Sequence, residues 1–576
     1  MSLTALPSEI LIKIIGLTEP IDVRSCQLVC RRLHALVASS SYLQYILELD
    51  ACGYDMPPVP RSDLGYEAMV QRLREHRKGW EDPSSCKPEF FELSPQPTIS
   101  TYFAGGVLAC GYANDELKKT MDVMDSIHFH QLPSKNKSIN YSHWHHSDFG
   151  FSVDEFAFQP EIDLLVLIEG TALAPDDPVM GYFDNLRPSK SYRLHFRTMS
   201  TNDPHWLAGL PTLDTGLSGR LRERKFYENR IIISLYGRMV MLRSGADHQG
   251  VNAIVVWDWI EGKEVLRIEI PVGQIHSHHY SYLLSEDYLI VSCPAPVSPN
   301  TSSVPLGLLD IYHLQTNSDG PRKIVSFELP TQHLSRGYVR MASGPARMPC
   351  TPYWLAQMEY NSSIYEIAPQ NRLLVLLFCI PKRHNSGQIY FHSLLHVPVR
   401  VLLDYPKTRL DDQPCVVPWS AWGVKVTWID MTDNVLPRLF SLSGLRFSIR
   451  NLHCYLVGPE SGGQARQKSR DRLAILDFDQ KRSRFAQATR NDQEKISNSG
   501  HSMYSEGASS TTLMTCKDAS GYPIFETPVN VAPVYRKLRA GKAFLPTNVA
   551  REKPCMIDEE HMVIFTEINP VECCRV

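Results

Sequence analysis

The hydrophobic period of this chain changes near residue 98, and that change constrains the fold more than any other feature. Before it, apolar residues recur at three- and four-residue spacing, as in Ile10, Leu11, Ile14 and Ile15. After it, long helical stripes vanish, and Pro, Gly, Asn and Asp punctuate short β-branched runs. A chain of 576 residues exceeds one ordinary hydrophobic core, so the two textures predict at least two domains.

Residues 6–49 read as helices. Pro7 suits the first turn of the first one, Glu9 complements its positive end, and Gly16 and Pro20 stop it. A second helix is expected from Asp22 as N-cap, with Cys26, Val29 and Leu33 on one face. A third carries Leu33, Leu36 and Val37 and ends in the run 38–41. Three short amphipathic helices have too little core to stand alone, so the module needs a partner or a neighbouring domain. Met56-Pro57-Pro58-Val59-Pro60 reads as a stiff linker. Tyr66, Met69, Val70, Leu73 and Trp80 then form a helical stripe that should pack on the next domain.

In the β-rich part an acidic or polar turn repeatedly precedes an apolar strand. Examples are Asp163 before Leu164–Leu167, Asp287 before Tyr288–Val291, Asn371-Arg372 before Leu373–Leu376, and Glu560 before His561–Phe565. A loop and a second strand follow, as in Ile254–Trp259, Leu308–Tyr312 and Leu473–Phe478. Repeated units of this kind are the signature of propeller blades, although these exceed the usual repeat of about 40–50 residues. An irregular pair of β-sandwiches is the alternative. The chain ends on an apolar strand with no sequence left for a whole unit, so residues 561–568 are expected to share a sheet with a strand from residues 96–112.

Leu6-Pro7-Ser8-Glu9-Ile10-Leu11, followed by Cys26-Gln27-Leu28-Val29-Cys30-Arg31-Arg32-Leu33, resembles the F-box. That family's pattern starts Leu-Pro-x-Glu-Ile/Leu-Leu and continues Leu-x-x-Val-Cys-Arg/Lys. The family often has Trp or Phe where Leu33 stands, and the turn from Gly16 to Ile21 is looser than usual. The resemblance implies docking onto a Skp-type adaptor, and through it a cullin, by Leu6, Pro7, Ile10, Leu11, Ile14, Leu28, Val29, Cys30, Arg31 and Leu33. The same residues could instead be the module's own core. Val256-Trp257-Asp258, with Gly262-Lys263 after it, resembles the third strand and turn of a WD-repeat blade, and Leu309-Asp310-Ile311-Tyr312 is a fainter copy.

The expected fold class is therefore multidomain α+β. Residues 1–50 are a small N-terminal helical F-box, 51–95 a linker with an amphipathic helix, and 96–576 a large all-β partner-binding domain. That domain is expected to be a six- to eight-bladed β-propeller, with seven blades favoured.

A formal net charge of -3 argues against nucleic acid or an anionic membrane as the main partner. No apolar run approaches the ~20 residues that span a bilayer. The N-terminus does not read as an export signal, and the fourteen cysteines are scattered, so a reduced cytoplasmic or nuclear protein is expected. No Walker loop, G-x-S-x-G or strand-borne G-x-G-x-x-G occurs, and no cofactor is expected. His143-Trp144-His145-His146 and His276-Ser277-His278-His279 read as loop histidines rather than metal ligands. Asp176-Asp177 and Asp411-Asp412 read as turns, and the basic Gly-containing run 461–470 as a solvated insertion.

The expected function is a non-catalytic substrate receptor of an SCF-type ubiquitin ligase, joining a Skp-type adaptor to an unknown target protein. A propeller scaffold outside ligases, and an enzyme with its site in a propeller channel, are the alternatives.

Overall fold

The computed structural model describes residues 6–57, 61–81, 88–92, 100–113, 123–172, 189–220, 231–244, 251–271, 281–293, 303–314, 320–333, 340–343, 363–367, 371–384, 387–407, 414–431, 440–443, 446–450, 473–477, 512–514, 529–531, 536–539, 556–557, 560–565 and 570–575. Five helices come first: α1 (Ser8–Gly16), α2 (Pro20–Val29), α3 (Arg31–Ser39), α4 (Ser41–Cys52) and α5 (Tyr66–Glu81). Among the described residues no helix is long and apolar enough to cross a membrane.

Helix α2 begins at Pro20, whose fixed φ and missing N–H suit a first helical position, so Asp22 lies in the first turn rather than at the cap. It ends at Val29 because Cys30 is extended, with φ -158 and ψ 163. That break separates Val29 from Leu33, which the sequence reading had placed on one face. Ser40 caps α4 by accepting from the Leu43 N–H at 3.4 Å. Gly53, at φ +71, ends α4 in the left-handed region, and the Tyr54 N–H returns to the Leu49 carbonyl at 2.9 Å.

Past the helices, the described strands form seven antiparallel sheets of four strands, one of them extended by a fifth, and two further strand pairs. The first comprises Ser100–Ala104, Val107–Tyr112, Ser126–Gln131 and Ser142–Ser147. The second comprises Val153–Gln159, Leu164–Ala172, Ser189–Thr198 and Thr212–Arg220. The third runs from Ile232–Tyr236 to Lys263–Pro271, the fourth from Ser281–Leu283 to Arg322–Glu328, the fifth from Arg340–Ser343 to Thr427–Met431, and the sixth from Phe440–Ser443 to Arg536–Arg539. Strand Cys415–Val417, from the long third-to-fourth connection of the fifth sheet, pairs in parallel with Val325–Phe327 of the fourth. Trp422 secures that crossover by donating its indole N–H to the Glu328 carbonyl at 2.9 Å.

One hydrogen bond recurs in five sheets. The residue after the third strand donates its N–H to the carbonyl of the residue before the second. The pairs are Leu132 to Gly106, Met199 to Asp163, Trp259 to Arg238, Leu314 to Asp287 and Val399 to Arg372, at 2.7–3.1 Å. Every donor is a buried apolar residue. Three of the acceptors, Gly106, Asp163 and Arg238, lie in turns. Asp163 shows the geometry: at φ +54 its carboxylate accepts from the Ser200 N–H at 2.8 Å and the Ser200 hydroxyl at 2.5 Å.

The first four sheets pack face to face in chain order. Leu165 and Leu167 join Phe129 and Phe156 between the first and second sheets. Their neighbours Leu164, Val166 and Ile168 join Val240 and Trp257 between the second and third. Side chains alternate faces along a strand, so a strand covered on both sides reads as the unbroken apolar run Leu164–Ile168. Trp257-Asp258 lies at the end of the third strand of its sheet. The Asp258 carboxylate accepts from the N–H groups of Ile260 and Glu261, and Gly262 turns at φ +65.

The seventh sheet joins an early strand to the C-terminal strands. Its order is Pro88–Glu92, Pro570–Arg575, His561–Phe565 and Met556–Ile557. Phe90 stands opposite Glu572, and Val563 opposite Cys573. This corrects the expectation for the chain's last strands. Residues 100–104 and 107–112 belong to the first sheet, and the early strand beside the C-terminal ones comes from 88–92, inside the segment read as linker. The missed strand, Pro-Glu-Phe-Phe-Glu, is too short for its pattern to declare itself, and only long-range pairing defines it.

Candidate functional site

The helical module has a small core and an unusually apolar surface. Leu11, Ile15, Val23, Leu33, Leu36, Val37, Leu43 and Ile46 pack together inside it. Helix α1 carries apolar residues on more than its inner stripe, so Ile10 and Ile14 turn outward at 44% and 39% exposure. Leu28 at 89% and Val29 at 69% stand out where α2 stops, with Leu17 at 88% and Ile21 at 58% in and beside the α1–α2 turn. Six large apolar side chains stand exposed on so small a module, and exposed apolar surface of that kind marks interaction sites. The Arg32 guanidinium donates to the Leu6 carbonyl at 2.8 Å and ties the chain start to α3.

Residues 3–44 match the F-box-like family model. No curated protein matches the chain. Among solved structures it is similar to a Pyrococcus horikoshii acylaminoacyl peptidase in an orthorhombic crystal form, at 10% identity and a TM-score of 0.26, covering 64% of this chain and 50% of that one. An acylaminoacyl peptidase in complex with Z-Gly-Gly-Phe-chloromethyl ketone matches with 10% identity, the same coverage and a TM-score of 0.25. The chain thus spans about half the length of these structures.

The structure divides the residues that the F-box resemblance singled out. Pro7, Ile10, Ile14, Leu28, Val29 and Arg31 are exposed. Leu6 and Cys30 are half-buried against the core, and Leu11 and Leu33 lie inside it. Leu17 and Ile21 were missed because Gly16 and Pro20 read as punctuation; their apolar character within a turn was the available signal.

The module is fixed to the β-rich part through α4 and α5. Tyr45, Leu49, Tyr54, Met69, Val70 and Leu73 share a buried cluster with Ile364, Tyr365 and Ile367. The α5 stripe therefore packs as its sequence pattern predicted. The Tyr54 and Tyr365 rings stack at 4.1 Å, and the Tyr54 hydroxyl lies 2.9 Å from His76 Nε2. Asp55 and Glu366 exchange backbone hydrogen bonds at 2.8 and 2.9 Å. Arg61 and Arg72 donate to the carbonyls of Asn136 and Lys135. Glu560 accepts from the Ser134 hydroxyl at 2.7 Å and the Tyr365 hydroxyl at 3.5 Å, and His561 Nε2 lies 3.0 Å from the Pro133 carbonyl.

The receiving segments are alike in topology. Residues 132–141 join the third and fourth strands of their sheet, 363–367 lie between a first and a second strand, and 560 lies between Met556–Ile557 and His561–Phe565, the last two in the order of the seventh sheet. In an antiparallel meander those two kinds of connection fall at the same end. The helices therefore meet the sheets at connections of these two kinds.

His143–His146 form part of the edge strand Ser142–Ser147, not a loop. Trp144 and His146 both point to the Met199 carbonyl, with their ring nitrogens 2.9 and 2.8 Å from it. Burial, then repulsion from His145 and His143, pushes the His128 imidazole down to about 4. Burial, then His143 and His128, does the same for His130. Residues 176–177, 276–279, 411–412 and 461–470 lie outside the described residues.

Proposed function

We propose that this chain is a substrate receptor of an SCF-type ubiquitin ligase. Its F-box-like segment docks a Skp-type adaptor and, through it, a cullin, in the cytoplasm or nucleus. The observation that carries this reading is the exposure of six large apolar side chains, Ile10, Ile14, Leu17, Ile21, Leu28 and Val29, inside the segment that matches the F-box-like family model. Helix-in-groove docking needs such a face. The chain supplies no catalysis: other subunits do, and the receptor holds a target lysine near activated ubiquitin.

The β-rich part closes as a seven-bladed propeller and binds the target. Seven four-stranded sheets, the first four packed in chain order and the last pairing an early strand with the C-terminal ones, support this reading. The helices occupy one end of the sheets. The target then takes the opposite end.

The test is co-purification. Wild-type chain should retain a Skp-type adaptor and cullin, whereas Ile14→Asp with Leu28→Asp should lose both while its thermal melt is unchanged. Equal capture of the adaptor by both proteins would overturn the docking assignment. Capture of adaptor without cullin would favour a scaffold outside ligases.

A further inference from the structure

The outer hairpin of the first sheet gathers histidines from its two strands. Ser126–Gln131 pairs with the edge strand Ser142–Ser147, and the register sets His128 opposite His145 and His130 opposite His143. Residues directly opposite, or two apart on one strand, share a face. Four imidazoles therefore lie on one side of the hairpin, while Phe129 and Trp144 stack on the other at 5.3 Å. The His130 and His143 rings are 4.5 Å apart, and those of His128 and His145 5.0 Å. His128 Nδ1 and His143 Nε2 face each other at 3.3 Å.

Two ring nitrogens at that separation share either a proton or a cation. A tetrahedral zinc with Zn–N bonds of about 2.0–2.1 Å holds neighbouring ligand nitrogens about 3.3 Å apart. Imidazole suits zinc and copper, and a site without carboxylates offers little to magnesium or calcium, which need oxygen ligands. His130 Nδ1 is already engaged with the Tyr141 hydroxyl at 3.0 Å. His145 is exposed on the edge strand and lies over His128, so it is the ring best placed to turn inward. Among the described residues no three such donors already converge on one point, so the third ligand arrives by rotation of a side chain.

We propose that this hairpin is a surface site for one Zn²⁺ or Cu²⁺ ion, with His128 Nδ1 and His143 Nε2 as its first two ligands and His145 as the third. Binding cross-links the edge strand to its neighbour.

The experiment titrates chelator-treated, tag-free full-length chain with Cu²⁺, Zn²⁺ and Mg²⁺ by calorimetry. Copper nitrogen coordination is read by electron paramagnetic resonance. One equivalent of Cu²⁺ or Zn²⁺ should bind at least tenfold more tightly than to the His128→Gln, His143→Gln variant. Nitrogen hyperfine structure should be present in the wild type and lost in that variant, and Mg²⁺ should not bind. His276→Gln with His278→Gln should leave the affinity unchanged. Equal affinity in wild type and the His128/His143 variant overturns the site, as does a loss caused by the His276/His278 variant alone. Should the double variant not fold, His145→Gln must lower the affinity at least threefold, and an unchanged affinity overturns the proposal.

Discussion

The Tyr45 hydroxyl donates to the Ile364 carbonyl at 2.5 Å, a bond closed across 319 residues of chain. Tyr45 is fully buried, and burial pushes its hydroxyl up, out of the ordinary tyrosine range. This bond joins α4 to a connection of the fifth sheet, so it fixes the helical module to the β-rich part. Tyr45→Phe keeps the ring but leaves a buried carbonyl without that donor, which costs about 1–3 kcal/mol. We predict a lower thermal midpoint and faster proteolysis between residues 57 and 66, measured by calorimetry and limited digestion. An unchanged melt would show that the junction does not depend on this bond.

Core and surface residues of the F-box-like segment should separate cleanly. Leu33 lies in the module core, and Leu33→Ala should destabilise by roughly 2–5 kcal/mol through the lost contacts and the cavity. Leu28 is exposed, and Leu28→Ala should change stability by no more than about 0.5 kcal/mol. Chemical denaturation of the two variants checks the contrast.

The C-terminal strand Pro570–Arg575 lies between Pro88–Glu92 and His561–Phe565. Removing residues 570–576 exposes unpaired backbone on both neighbours and leaves the early strand without its partner. We expect the truncated chain to lose stability across the β-rich part and to aggregate on heating. A melt that matches the full-length chain would show that this pairing is dispensable.

The histidine ladder sets a pH dependence in chelating buffer. His128 and His130 are held down to about 4 in the folded state, against 6.5 when unperturbed. Between those values the unfolded chain binds more protons, so stability rises with pH there. The contribution is complete above about 6.5 and is lost as pH falls towards 4. His128→Gln with His130→Gln should flatten that part of the stability profile, measured as thermal midpoint from pH 7 to pH 4.

Much of the local structure was legible in the sequence. Apolar spacing located α1 and α5, and the polar residue before each apolar run located strands such as Leu164–Ala172, Tyr288–Cys293 and Leu373–His384. These features depend on neighbours a few residues away, so period and punctuation report them directly. The F-box-like pattern was legible for the same reason, since its residues lie within a short stretch of chain.

Tertiary structure alone decided the rest. Which apolar residues of the module face inward depended on the break at Cys30, which turned Val29 out and Leu33 in. The early strand in the last sheet came from 88–92 rather than 96–112, because pairing between chain ends leaves no periodic mark on a five-residue strand. His128 and His143 belong to separate strands, and their nitrogens meet only through the register of the hairpin. The sequence by itself determined the longer elements, because their period and punctuation follow from backbone geometry. It did not determine which elements meet, because that depends on packing summed over the whole chain.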